Sequence, residues 1–330
     1  MNYGYGNIAC ANPYQLSTPY PQRQGRYPPQ QSYRNLYASN ALQQQSYQNP
    51  YGSNPQQLQD LLKISVLTGG YCGYLPYNQP PQQYQNPYDV GIMQIDMDRQ
   101  VVINDRLRGI AARYEINDTL TQHLNILQQF KIIILCDDSD SMNILVDGTT
   151  DTRWDELRSI VRIVIEIGTV FDSNGIDVHF LNRPSMLNVT DTQQVVESFS
   201  RHPAGITPLT PALRRIFQLA ASKSSSEKRL LVFVVTDGAP TDHNGNVDVQ
   251  SLENLMCNER QGNTTYVTFV CTHEESRVAY LSKWHLTMMN FNVIDNYTNE
   301  REIVRRTRGY KYPFSFGDHV AKALLSAVGL

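Results

Sequence analysis

No window of this 330-residue chain gathers the roughly 18 consecutive apolar residues that a membrane-spanning helix requires. Residues 1–15 also lack a basic segment leading into an apolar core, so the sequence predicts neither a span nor a secretory leader and reads as cytoplasmic. Dense Lys/Arg runs are missing too. With 28 Lys+Arg against 31 Asp+Glu and a formal net charge of −3, a nucleic-acid partner is not expected. Cysteine is scarce, with five residues (Cys10, Cys72, Cys136, Cys257 and Cys271) and no CxxC spacing, which argues against a disulfide framework or a thiolate metal site. Cys136 and Cys271 fall inside apolar runs, as buried free thiols of a reducing compartment would.

The next absence divides the chain. Before Asp60 there is no acidic residue, and only Arg23, Arg26 and Arg34 interrupt a polar and aromatic sequence. Fourteen of the 20 tyrosines and 11 of the 17 prolines lie before Val90, with glutamine runs such as Gln43-Gln44-Gln45. So little aliphatic surface cannot offset the entropy of ordering the chain, so residues 1–58 and 76–89 are expected to be disordered. Spaced tyrosines and glutamines fit either weak self-association or a passive solubilising tail. Between these segments, Leu58, Leu61, Leu62 and Ile64 give a short helical pattern that Gly69-Gly70 ends. Residues 59–129 are thus expected to be short helices and linker, including a helical stretch over 104–129 that breaks near Asn117-Asp118.

From residue 130 the pattern changes. Lys131–Cys136 and Leu230–Thr236 are continuous apolar runs, as in strands covered on both faces, and further strands are predicted at 176–181, 265–271 and 291–295. Between them lie helical periodicities at about 152–171, 191–201, 209–222, 249–258 and 274–284, followed by 299–307 and 317–328. Thr152-Arg153-Trp154-Asp155 reads as a capping start for the first of these. Such alternation specifies an α/β domain over 130–330, a doubly wound and mostly parallel sheet with helices on both faces. Ligands in such folds sit beyond the carboxyl ends of the strands, where the strand order reverses.

Two polar segments stand at that edge. Asp137-Asp138-Ser139-Asp140-Ser141-Met142 follows the first strand, and Thr236-Asp237-Gly238 closes the strand at 230–236. Gly205-Ile206-Thr207-Pro208 lies just before a helix between them. Asp137, Ser139, Ser141, Thr207 and Asp237 offer two carboxylates and three hydroxyls, with no histidine or thiol at metal spacing. Hard oxygen donors favour Mg²⁺ or Mn²⁺, with Ca²⁺ a further candidate, over zinc.

In order and spacing, Asp137-x-Ser139-x-Ser141, Thr207 and Asp237 resemble the metal-ion-dependent adhesion site of von Willebrand factor type A domains. The resemblance covers about 200 residues and implies a Rossmann-like type A fold. It also implies metal ligation by those five residues, with a Glu or Asp of a protein partner completing the coordination. Pro313-Phe314-Ser315-Phe316-Gly317-Asp318 with Ala323-Leu324-Leu325 resembles the ending of stand-alone intracellular members, some of which carry low-complexity amino termini. Asp140 departs from the pattern, because those relatives commonly have glycine there. An added carboxylate could tighten cation binding, repel an acidic ligand or, facing solvent, do neither.

Catalytic readings fit less well. Asp138-x-Asp140 resembles the opening of haloacid-dehalogenase-type phosphatases, in which the first aspartate is a nucleophile, but Met142 stands where Thr or Val belongs and no later Asp-Asp pair follows. An EF-hand loop would need a polar ligand at Met142, glycine at Asn143 and Glu at Thr149. No histidine is placed as a base for Ser139 or Ser141. The expected function is therefore metal-dependent protein binding rather than catalysis, with a scaffold acting through the amino-terminal segment as the alternative.

Overall fold

The computed structural model describes residues 87–222, 228–272 and 280–329. The segments read as a disordered tail at 1–58 and as a helix near 58–67 lie outside them, as does most of the stretch expected to be helical at 274–284. In chain order the elements are α1 (Pro87–Tyr114), α2 (Asp118–His123), β1 (Phe130–Cys136), α3 (Arg153–Phe171), β2 (Ile176–Phe180), β3 (Met186–Val189), α4 (Val196–Ser200), α5 (Leu209–Ser222), β4 (Arg229–Thr236), α6 (Val249–Asn254), β5 (Thr265–Cys271), α7 (Leu281–Thr287), β6 (Phe291–Ile294), α8 (Tyr297–Arg308) and α9 (Phe316–Ser326). Among the described residues, no helix is long and apolar enough to cross a membrane.

The six strands form one sheet in the order β3-β2-β1-β4-β5-β6. All pairings are parallel except β2 with β3. Alternation explains why the central strands read as unbroken apolar runs. Ile132, Ile134 and Cys136 of β1 face one core with α1, α3 and α9, while Ile133 and Leu135 face the other with α5, α6 and α7. Residues 231, 233 and 235 of β4 join the first core, and 230, 232 and 234 join the second. A strand buried on both faces has no polar side on which to alternate. Cys136 and Cys271 are buried free thiols within these cores, whereas Cys257 is exposed.

The core extends upstream of the expected domain start. Ile103, Leu107, Ile110 and Ala111 of α1, then Ile116, Leu124 and Leu127, are buried in the same core as β1. Helix α1 also begins at Pro87, so residues 87–89 are helical rather than disordered, and the helical stretch starts earlier than 104. Its junction with the rest is tight. A Cβ on Gly317 would lie 2.1 Å from the Tyr114 carbonyl oxygen, and Asp318 accepts hydrogen bonds from both the backbone and the side-chain amide of Asn117. The break near Asn117-Asp118 is real, because the Asn117 side chain caps α2 by accepting from Leu120 N.

Strand β3 was not foreseen. It has four residues, three of them partly or fully exposed, so it carries no apolar period for the sequence to reveal.

Candidate functional site

The chain runs outward through β1, β2 and β3, then returns to place β4 against the other side of β1. The order therefore reverses between β1 and β4, where Cys136 pairs with Val235. Asp137 is the first residue beyond β1 and Asp237 the first beyond β4, so the switch point delivers two carboxylates to one spot. Both are fully buried.

Hydrogen bonds join four of the five expected residues. Asp137 Oδ1 accepts from Ser139 N at 3.0 Å, and its Oδ2 accepts from Thr236 Oγ1 at 2.5 Å. Ser139 Oγ and Ser141 Oγ are 3.2 Å apart, and Ser141 Oγ donates to Asp237 Oδ1 at 2.7 Å. A 3₁₀ turn at Asp140–Asn143 holds this geometry, pinned by Met142, whose side chain is fully buried in the core. Burial pushes the Asp137 carboxyl up to about 6, with the charge of Asp237 adding to it and bonds from Ser139 and Thr236 opposing it. Two desolvated carboxylates that repel each other favour a proton on one of them or a cation beside them.

Thr207 reaches the same edge by a different route. Its N–H donates to Thr241 Oγ1 and its carbonyl accepts from Thr241 N, which ties it to the loop beyond Asp237. No hydrogen bond joins its hydroxyl to the other four residues. The loop ahead of it is held against the first segment, with Ala204 N donating to the Asp138 carbonyl and Asp140 N to that of Gly205. Gly205 has a φ of +116°, and a Cβ there would meet the Asn182 side chain at 2.8 Å, so only glycine allows that approach.

Asp138 and Asp140 serve other ends. Asp138 is fully buried, and its Oδ1 accepts from Asn182 N at 2.8 Å while Arg183 Nε lies 3.0 Å from Oδ2. Burial holds its carboxyl above the usual value even against those partners. A carboxylate locked in this way is not presented as a nucleophile. Asp140 is exposed, so its charge is spent in solvent. No histidine hydrogen-bonds to Ser139 or Ser141 among the described residues.

Sequence reasoning missed Arg153. Its Nη1 donates to Asp237 Oδ2 at 2.5 Å, with Arg153 only 4% exposed and Asp237 fully buried. The capping box of α3 places it there. Thr152 Oγ1 accepts from Asp155 N, Asp155 Oδ2 accepts from Thr152 N, and Arg153 N donates to the Ile144 carbonyl. One signal was legible, since a cation in the first turn of a helix opposes the helix dipole and implies a carboxylate partner elsewhere.

The donor set fits a hard divalent cation, because the carboxylate and hydroxyl oxygens of Asp137, Ser139, Ser141 and Asp237 are linked and, among the described residues, no sulfur or imidazole hydrogen-bonds to them. Among the described residues no group of three or more His, Cys, Asp or Glu gathers to hold a metal, so any cation here relies on two carboxylates and neutral hydroxyls. Arg153, already paired with Asp237, works against such an ion.

No family model matches the chain, and neither does any curated protein. Among solved structures, the chain is similar to the crystal structure of the SpRpn10 VWA domain, at 13% sequence identity and a TM-score of 0.39, over 50% of this chain and 86% of that one.

Proposed function

We propose that the domain is a divalent-metal-dependent protein-binding module. The observation that carries this reading is the linked set Asp137, Ser139, Ser141 and Asp237 at the reversal of strand order. Asp137, Ser139, Ser141, Thr207 and Asp237 would hold Mg²⁺ or Mn²⁺, with Ca²⁺ the weaker fit. A bound ion would supply an electrophilic position for a Glu or Asp carboxylate of a protein partner. Ser139 and Ser141 contribute neutral oxygens that leave the charge of such an ion little reduced, and Met142 and the 203–207 loop keep their hydroxyls in place.

Binding is favoured over catalysis by what surrounds the carboxylates. Asp138 is committed to Asn182 and Arg183, and among the described residues no histidine hydrogen-bonds to either serine. The 330-residue chain should capture a partner in Mg²⁺ and release it in chelator, and Asp137→Ala or Asp237→Ala should abolish capture while unfolding stays cooperative. A partner retained equally well in chelator would count against the reading. Phosphatase activity lost on Asp138→Asn would replace it with an enzyme. The Tyr/Gln-rich residues 1–58 are proposed as a tether that concentrates the module. Self-association through them is the second reading, and it holds if their deletion, rather than Asp137→Ala, removes function.

A further inference from the structure

We propose that Arg153 is the resident counter-cation of this site, competing with a divalent ion for Asp237 and released, as the ion binds, toward Glu156 one helical turn on. The inference rests on the metal-binding reading above and adds the way in which occupancy is controlled.

Three observations carry it. First, the ion pair is direct and buried, so an ion that takes Asp237 meets a positive charge already in place. Asp137, Asp237 and Arg153 together sum to −1. A divalent ion added to all three would leave a buried excess of +1, which a low-dielectric site disfavours. Second, Glu156 sits three residues along the same helix with its Oε2 buried and without a hydrogen-bond partner. Burial pushes that carboxyl up to about 7, with Arg153 near enough to pull it back. A carboxylate with a buried, unpartnered oxygen on the same helix as that cation is a landing site, and once Glu156 is ionised the four protein charges and the ion sum to zero. Third, the Arg153 side chain is lightly held. Its only side-chain hydrogen bond among the described residues is the one to Asp237, and it lines a cavity of about 50 Å³ with Asp147, Thr272, Asn296 and Asn299.

The test is Mn²⁺ binding to the full chain, read from the electron paramagnetic resonance of the free ion. Arg153→Met should bind Mn²⁺ roughly tenfold more tightly than wild type or better, because a unit charge a few ångströms away is removed, while Arg153→Lys should stay within about threefold. Glu156→Gln should weaken binding about threefold in the wild type and have no effect in the Arg153→Met background, where there is no cation to receive. Met at 153 leaves Asp237 unpaired. Its thermal midpoint should therefore fall and be restored by Mn²⁺ but not by an equal ionic strength of KCl. If Arg153→Met does not fold even with Mn²⁺, the Glu156→Gln result decides alone.

Wild-type binding that Arg153→Met leaves unchanged or weakens would overturn the competition and leave the metal reading intact. Binding by Arg153→Met but not by the wild type would keep Arg153 as the site's cation and remove the metal from the native function. Binding by neither would sink both.

Discussion

Two arginine–aspartate pairs flank the end of β1, and they are built differently. On the β2 side, Arg183 faces Asp138, donates to the backbone carbonyls of Ser198, Arg201 and His202, and lies 4.9 Å from the centroid of the Trp154 ring. That ring packs on Phe199, and its N–H donates to the Phe199 carbonyl. On the β4 side, the Arg153 side chain hydrogen-bonds to Asp237 alone among the described residues. A cation woven into several backbone acceptors is part of the architecture, since moving it would orphan all of them. A cation held by one carboxylate can be exchanged for another cation. The same chemical pair thus serves as a fixed lock on one flank and as a removable plug on the other.

The largest effect expected from this contrast is on Arg183. Arg183→Ala should cost about 3–5 kcal/mol in urea unfolding, because it removes the countercharge of buried Asp138 and the donor to the Ser198, Arg201 and His202 carbonyls, and Mg²⁺ should not restore the loss. A cost under about 1 kcal/mol would mean that the lock is not structural. Arg153→Met should cost less, about 1–3 kcal/mol, since among the described residues the Arg153 side chain holds no backbone carbonyl, and here Mg²⁺ should recover most of it. Equal costs with equal indifference to Mg²⁺ would erase the distinction between the two pairs.

His319 supplies the third member of the comparison, a buried basic residue that forms no ion pair among the described residues. Neither ring nitrogen has a hydrogen-bond partner, and burial lowers its pKa to about 3, with Lys322 adding to the effect. The folded state keeps this ring neutral while the unfolded chain protonates it below about 6.5. Stability is therefore unaffected above that pH and is lost as the pH falls from about 6.5 toward 3, amounting to about 2 kcal/mol at pH 5. Asp137 and Glu156, whose carboxyls are raised, act in the opposite direction over part of that range. The quantity to measure is thus the difference between His319→Leu and wild type, which should grow in favour of the variant as the pH drops from 6.5 to 5. A difference independent of pH would place the ring in contact with water. The smallest effect is expected at Asp140. As an exposed charge, Asp140→Ala should shift stability by no more than about 0.5 kcal/mol and Mn²⁺ affinity by less than about threefold. A larger change would bring that carboxylate into the site.

Much of the scaffold could be read locally. The runs at Lys131–Cys136 and Leu230–Thr236 are strands within one residue of their expected bounds, and the helix over Leu209–Ser222 matches at both ends. The capping box at Thr152 and Asp155 forms as the spacing implied. Less was legible where short elements lack periodicity. Strand β3 pairs only through β2 and buries little, and 3₁₀ turns precede β1 and α4 where regular helix was expected. At the site, the positions of Asp137 and Asp237 followed from strand ends, whereas the attachments of Asp138 and Arg153 did not.

The sequence by itself determined which residues could stand at the carboxyl edge, because strand periodicity and the acidic and hydroxyl residues that end each strand are properties of neighbours in the chain. The tertiary structure alone decided how those charges are shared. It placed Arg153 on Asp237, 84 positions away, set Arg183 against Asp138 and left Asp140 in solvent. Long-range pairing depends on the path of the whole chain through the sheet and on which side chains lose their water together. No local pattern carries that information.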